Sequence, residues 1–253
     1  MLHMDLISPF NLVFYTFHPM LIQQGQGFYD KDGNVLICNA NAVRAAKLMY
    51  DMINVDKIVY TKAGMRSPGF WTAVNEGVIV TVPGASWFTF GLKEQVSTQA
   101  GKWKVMPMPT FEKGKGHAPS IGGSTVVITS QTKSPKLAWD FVQFGFLTKE
   151  GQLAAYKGGG IFPCLLEALQ DPIFDETDPY YGGQKVTRFF ADLVKDVPLF
   201  YYMPTTREDW ETVTKHLIGS LSNKTSVEDA LNAAATQMVK GLKSVGIDSK
   251  IVR

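Results

Sequence analysis

A run of five β-branched residues, Val78 to Val82, constrains the fold of this chain more than any other sequence feature. β-branched side chains favour extended backbone, and an unbroken β-branched run of this length is typical of a buried strand. A Pro-Gly turn at 83–84 follows the run, and Trp87 comes shortly after it. We therefore predict a buried strand that ends at a tight turn presenting a tryptophan.

Other strands and helices alternate along the chain. Shorter strands are predicted at 35–38, 104–108 and 124–128. Helices are predicted where apolar residues recur at helical spacing behind a capping residue. Such alternation is typical of the α/β class. The predicted helices run from Asn39 or Asn41 to about Ile53, over 67–75, from Ser134 with Leu137, Phe141 and Phe144 on one stripe, over Arg207–Leu221, and from a capping box at Thr225–Glu228.

Composition excludes several classes of partner. The 253 residues carry 25 basic and 23 acidic side chains, so the net charge is +2 and no basic stripe indicates a nucleic-acid partner. No run of about 18 apolar residues predicts a transmembrane helix. Cys38 and Cys164 lack metal-ligand spacing; whether they pair stays open, and we favour two small buried hydrophobic residues. No cofactor or metal is indicated.

Enzyme signatures are missing from the sequence. It contains no GxSxG, P-loop, HExxH or GxGxxG motif. The acids Asp175 and Glu176 leave a glycosidase open, since that chemistry uses two carboxylates flanking a sugar, but aspartate is also favoured in such loops as a turn former. None of the histidines has an acidic neighbour at a spacing that indicates a catalytic pair. Surface or loop positions are therefore predicted for His3, His18, His117 and His216.

The aromatic residues are a better lead to function, because sugars bind by laying their C–H faces on aromatic rings. Trp87 follows a strand, at the edge where open α/β sheets place ligands, and we favour a binding role for it. Trp71 is evenly balanced between packing and binding, and Trp210 lies on the apolar side of its helix. Trp103 and Trp139 are predicted to be structural.

Several segments, taken in order, resemble a known family. The stretch from Asn75 to Trp87 resembles a hallmark of family 1 extracellular solute-binding proteins, the maltose-binding-protein-like receptors of ABC sugar importers. The likeness continues through Lys104–Pro109 and Gly122–Ile128. It extends over almost the whole chain, with further similar segments at Leu147–Gly151, Gly160–Pro163 and Met203–Leu242.

The resemblance implies an α/β, periplasmic-binding-protein-like fold of two lobes, a Venus flytrap that closes on a monosaccharide or oligosaccharide without changing it chemically. Trp87 and Trp210 fall where relatives carry stacking tryptophans, and Gly122 and Gly123 fall where the chain lines the cleft. Tyr15 lies where relatives add sugar contacts, and Phe14 and Phe17 compete with it for that role. Trp71 completes the predicted ligand-binding set.

The resemblance also implies lobe boundaries and partners. Residues 1–92 and 156–253 would form the C-terminal lobe, and 93–155 part of an N-terminal lobe that is mostly absent and would leave apolar surface exposed. The implied partners are a sugar and the membrane permease subunits of an ABC importer, with a monomeric receptor located in the periplasm or lipid-anchored at the cell surface. The start, Met1–Leu6, shows no signal peptide. Two rivals stay open: a carbohydrate hydrolase using acids of 171–178, and a truncated fragment that binds nothing.

Overall fold

A computed structural model describes residues 1–116 and 118–253. The chain divides into two units, described separately below. Unit 1 comprises Met1–Pro83, Pro107–Ile121 and Asp196–Arg253, and unit 2 comprises Gly84–Met106 and Gly122–Lys195. In chain order the strands are β1 (Leu2–His3) and β2 (Val59–Tyr60), and the α-helices are α1 (His18–Ile22), α2 (Ala40–Asn54), α3 (Pro68–Asn75), α4 (Phe88–Gln95), α5 (Pro135–Leu147), α6 (Lys149–Gly159), α7 (Val186–Leu193), α8 (Thr206–Leu221) and α9 (Val227–Ser244).

The core of unit 1 is helical. Helices α8 and α9 pack against each other and α2 packs against both, so that the apolar stripe of each helix leaves water. A π-helix, Val13–Phe17, runs directly into α1 and also packs on α8. Within the described residues, no helix is both long and apolar enough to cross a membrane. The fully buried side chains at the centre include Leu12, Phe17, Met49, Val213, Leu217, Leu231 and Met238.

The predicted strand at Val78–Val82 is wrong in extent and in burial. Strands β1 and β2 pair in parallel, and the third segment adds an isolated bridge between Leu2 and Thr81 and a hydrogen bond from the Met1 ammonium to the Val78 carbonyl. Ile79 is fully buried whereas Val80 is 58% exposed, because only one face of the segment is covered. The run is therefore half-buried and extended rather than a strand enclosed on both faces.

The other three predicted strands are also wrong. The segment 35–38 forms only isolated bridges, from Val35 to Tyr29 and Ile251. At 104–108 the backbone of Val105 bonds in both directions to the side-chain amide of Gln184, at 2.9 and 2.7 Å, instead of to a strand. The segment 124–128 forms no strand within the described residues, and Val127 is 76% exposed. A β-branched run becomes a strand only where a neighbouring backbone is available to pair with it.

Most helix boundaries are confirmed. Asn39 caps α2 by accepting a hydrogen bond from the Ala42 N–H, and Ser67 caps α3 in the same way. The capping box of α9 is shifted by one residue from the prediction: the N-cap is Ser226, whose hydroxyl accepts from the Asp229 N–H at 3.0 Å. These boundaries depend on local hydrogen bonds, which neighbouring residues alone determine.

Unit 2 combines a small core with an exposed helix. Tyr180 lies in the core, and its hydroxyl donates to the carbonyls of Leu92 and Val96 at 3.2 and 2.9 Å. Helix α5 has no buried residue, and its predicted apolar stripe faces water, with Phe141 69% exposed. Trp139 is 49% exposed, so its assignment to packing is wrong. Many apolar side chains of 93–155 are thus exposed, as expected, although Val96 is fully buried.

The boundaries of the two units differ from those of the predicted lobes. Residues 84–92 and 156–195 belong to unit 2 rather than with 1–83, and 107–121 belong to unit 1. Both cysteines are free thiols, with Cys38 partly buried and Cys164 exposed, so only Cys38 approaches the predicted buried state. The assignment of either unit to a lobe of the family stays a prediction.

Candidate functional site

Unit 1 contains a group of rings that we call the aromatic cluster: Phe14, Tyr15, His18, Phe28, Phe200, Tyr202 and Trp210. Trp210, in the second turn of α8, lies at its centre. Its ring centroid is 5.4 Å from that of Phe14, 5.5 Å from that of His18 and 5.9 Å from that of Tyr202. These separations and tilted ring planes are those of favourable aromatic contacts.

Backbone geometry brings the rings of the first segment together. Val13–Phe17 is a π-helix, and the N–H of His18 donates to the Val13 carbonyl. The helix turn places Phe14 and His18 on the same side, where both contact Trp210. π-Helical turns are rare and occur frequently at functional sites. The unusual turn is thus located where the chain presents these rings.

His18 is the most unusual side chain in the cluster. It is 1% exposed, and neither ring nitrogen has a hydrogen-bond partner among the described residues. Burial alone lowers the pKa of the imidazole from 6.5 to about 4, so the ring is neutral near pH 7. The predicted surface position is wrong here because rings from distant parts of the chain cover His18. His3 is also buried, with Nε2 2.9 Å from the Ala63 carbonyl, so the surface prediction fails there too.

The remaining histidines add little to the site. His216 is partly exposed on α8, with Nε2 3.5 Å from Oε1 of Gln237. His117 lies outside the described residues. Among the described histidines, His18 is therefore the strongest candidate for a functional role.

Further polar groups near the cluster are also unsatisfied. The indole Nε1 of Trp210 and the hydroxyls of Thr16 and Thr214 are buried and have no partner among the described residues. Most buried polar groups in folded proteins are hydrogen-bonded, and an unpaired one costs about 1–3 kcal/mol. Several such groups on two packed segments indicate hydrogen-bonding capacity that residues 1–116 and 118–253 do not use.

A buried carboxylate fixes the start of α8 beside Trp210. Asp209 is 4% exposed, and its Oδ2 accepts from the Tyr29 hydroxyl at 2.5 Å and from the Thr205 hydroxyl at 2.7 Å. Burial raises the pKa of Asp209, although these hydrogen bonds oppose the shift. Burial and the nearby Asp209 charge raise the pKa of Tyr29. The network holds the helix turn from which Trp210 projects.

The structure brings two of the predicted site residues together in unit 1. Tyr15 and Trp210 both contact Phe14, with ring centroids 4.9 and 5.4 Å from it. Phe17, the third candidate of that segment, is fully buried against Phe28 and belongs to the core. Trp71 contacts Phe70, which in turn contacts His3, in a second aromatic group of unit 1.

The other predicted site residues lie in unit 2. Trp87 is partly exposed and directly precedes α4, with its ring centroid 6.2 Å from that of Phe88. Gly122 and Gly123 are exposed, and Gly123 has a φ of +128°, which favours glycine. A cavity of about 10 Å³ lies between Phe90, Tyr156 and neighbouring side chains, with room for only a water molecule.

Two acids of the 171–178 loop, the candidates for the rival hydrolase, make structural contacts. Asp175 pairs with Arg188 at 3.0 Å, which lowers the pKa of the carboxyl. Asp171 caps the turn at 172–175 and pairs with Lys149, and its pKa is also lowered, first by the backbone N–H of Ile173. A general acid of a glycosidase needs a raised pKa, so these carboxylates do not suit that role.

Sequence reasoning missed His18, Phe200 and Tyr202. His18 follows Phe14 at helical spacing within an aromatic segment, but this spacing does not indicate that the imidazole is buried. Phe200 and Tyr202 lie in a second aromatic run just before α8. Pairing of the two runs depends on tertiary packing, which spacing does not reveal.

Comparison with known proteins assigns the chain to a family. A sequence model described as Bacterial extracellular solute-binding protein matches residues 8–180, more than half of the chain. The chain belongs to this family. The resemblance inferred from the stretch ending at Trp87 is therefore confirmed.

Curated relatives carry sugar-binding names. The chain is 22% identical over 200 residues to the arabinooligosaccharide-binding protein of Halalkalibacterium halodurans, a match covering 76% of this chain and 45% of that protein. It is 26% identical over 229 residues to the lactose-binding protein of Rhizobium radiobacter, covering 86% and 51%. The chain spans about half the length of these relatives.

Solved structures confirm the fold. An ABC transporter associated binding protein from B. animalis subsp. lactis Bl-04, in complex with beta-1,6-galactobiose, matches with a TM-score of 0.77 at 20% identity, covering 94% of this chain and 60% of that one. The galacto-N-biose-/lacto-N-biose I-binding protein from Bifidobacterium longum matches with a TM-score of 0.71 at 19% identity, covering 99% and 61%. The predicted periplasmic-binding-protein-like fold class is thus confirmed, for a chain spanning part of those proteins.

Proposed function

We propose that this chain is the carbohydrate-binding receptor component of an ABC sugar importer and that it binds its ligand without chemical change. The observation that carries the proposal is the aromatic cluster around Trp210, which combines large rings with unused polar groups. Sugars need both, because their C–H faces stack on rings while their hydroxyls need hydrogen bonds. The sugar-binding names of the relatives support the same ligand class.

The proposal has consequences for location and partners. As a receptor of this family, the protein works outside the cytoplasm, in the periplasm or lipid-anchored at the cell surface, and acts as a monomer. Ligand binding biases a conformation that the permease subunits recognise. Ligand contacts by Trp87, Trp71, Gly122 and Gly123 stay predictions within this proposal. The ion-paired state of Asp175 supports a binding role over hydrolysis.

Calorimetric titration of the chain with β-1,6-galactobiose, lactose and an arabinooligosaccharide tests the proposal. We expect binding of at least one sugar, and a loss of about tenfold or more in affinity for Trp210→Ala, since a stacked ring contributes roughly 1 kcal/mol or more beyond its burial. Trp139→Ala removes an exposed tryptophan of unit 2 and is the matched control.

Two results would contradict the proposal. The first is a folded chain, with its normal circular dichroism and melting transition, that binds none of the sugars. The second is the appearance of shorter sugars during incubation, with turnover abolished by Asp175→Asn, which would support the hydrolase instead.

A further inference from the structure

His18 is buried in the aromatic cluster, and neither nitrogen of its ring has a hydrogen-bond partner in the part of the chain that the structure describes. Ring centroids of Phe28, Phe200, Tyr202 and Trp210 lie between 5.4 and 6.1 Å from the centroid of its imidazole. An apolar residue of similar size would fill this position without an unsatisfied polar group. The packing of unit 1 therefore does not explain why this residue is a histidine.

We propose that His18 is a specificity-determining residue of the sugar site, whose imidazole exchanges a hydrogen bond with a ligand hydroxyl beside the Trp210 ring. This inference rests on the proposed function. A neutral imidazole offers one N–H donor and one acceptor nitrogen, and the indole Nε1 of Trp210 offers a donor only. A sugar hydroxyl both donates and accepts, so one hydroxyl can satisfy the two rings together.

The rings of His18 and Trp210 are neighbours in the aromatic cluster. Their centroids are 5.5 Å apart and their planes are tilted by 44°. A hydroxyl oxygen about 2.8 Å from a nitrogen of each ring would bridge such a pair. The aromatic rings around this bridging hydroxyl would then contact the apolar face of the sugar, as aromatic side chains do in other small-molecule sites.

The cover over His18 lies on a segment without regular structure. Phe200 and Tyr202 belong to residues 197–203, which form neither helix nor strand. Tyr202 is 44% exposed and Leu199 is 79% exposed, whereas Tyr201 and Met203 pack against the core of unit 1 and anchor the segment. Movement of the two rings would open a route to the imidazole while α8 and the π-helix stay in place.

Substitution of His18 separates this role from a structural one, because the two roles predict opposite changes in stability. His18→Leu and His18→Phe remove the polar atoms, the first with a closer volume and the second with a ring. We expect at least one of them to melt no lower than the wild type, since an unpaired polar group is lost, and both to bind sugar at least tenfold more weakly. His18→Gln keeps a donor and an acceptor and should retain more binding than either. His216→Phe is the matched control on the surface of unit 1.

The measurements are thermal melting and calorimetric titration with the three sugars named above. If His18→Leu and His18→Phe both bind sugar as tightly as the wild type does, the proposed role of His18 is overturned. The proposed function of the chain would then be unaffected. A parallel loss of melting temperature and affinity in all three variants would also overturn it, because that is the behaviour of a structural residue. A folded wild type that binds no sugar would overturn the proposed function and this inference with it.

Discussion

The hydroxyl of Tyr29 donates a 2.5 Å hydrogen bond to Oδ2 of Asp209, a residue 180 positions later in the chain. The bond joins the loop before α2 to the first turn of α8, and the next residue along that helix is Trp210. Both partners are buried, at 1% and 4% exposure. The position of the central ring of the aromatic cluster therefore depends on a polar contact between distant segments.

Removal of this hydrogen bond should destabilise unit 1. Tyr29→Phe keeps the ring but leaves the buried Asp209 carboxylate with one partner fewer, and we expect a loss of about 1–3 kcal/mol in the free energy of unfolding. Urea denaturation measures the change. Tyr50→Phe is the control, since its hydroxyl bonds to Asn223 in an exposed position, and it should cost less than about 0.5 kcal/mol. Equal losses in the free energy of unfolding for the two variants would show that the Tyr29–Asp209 hydrogen bond stabilises the fold no more than the exposed one does.

His18 should make stability fall in mild acid. The unfolded imidazole takes up a proton below about pH 6.5, whereas the buried one does so only below about pH 4. The unfolded state thus binds more protons between these values, so the free energy of unfolding falls as the pH drops from 6.5 to 4, by up to about 3 kcal/mol. The stability is fully present above pH 6.5.

Comparison with His18→Leu isolates this contribution from those of the carboxylates. Chemical denaturation at intervals from pH 7 to 4 should give a smaller decline for the variant than for the wild type. Parallel curves for the wild type and His18→Leu would mean that the imidazole takes up its proton in the folded protein as readily as in the unfolded chain.

Local patterns in the sequence were sufficient where the structure is itself local. Asn39 and Ser67 cap their helices as predicted, because each hydrogen bond joins residues three positions apart. Strands depend on a partner, and the predictions at 78–82 and 104–108 failed because the available partners were a single bridge and the Gln184 side chain. The likeness to a family identified the fold without supplying these partners.

The candidate site shows the same division. Trp210 and Tyr15 could be selected from sequence, because ring type and family position indicate them. His18 could not, since its burial results from rings contributed by Phe200 and Tyr202, far away in the chain. A histidine near a proline carries no sequence signal of burial. The imidazole of His18 is neutral and lacks hydrogen-bond partners among the described residues because tertiary packing buries it.

Exposed and buried phenylalanines should respond very differently to truncation. Phe141 on α5 is 69% exposed, so Phe141→Ala should change the free energy of unfolding by no more than about 0.5 kcal/mol. Phe17 is fully buried against Phe28, and Phe17→Ala should cost about 3–5 kcal/mol because it leaves a cavity. Urea denaturation of both variants checks the contrast. A large loss for Phe141→Ala would show that its ring is covered in solution.

The two cysteines should differ in reactivity toward a thiol reagent. The Cys38 thiol is partly buried and donates to the Leu231 carbonyl at 3.2 Å, and burial raises its pKa, which reduces the reactive thiolate. Cys164 is exposed. We expect Ellman's reagent to modify one thiol quickly and the second only slowly in the native protein, with Cys164→Ser abolishing the fast phase. Both should react together in denaturant. A native protein with no titratable thiol would instead indicate that the cysteines are oxidised, and loss of the fast phase in Cys38→Ser would reverse the assignment.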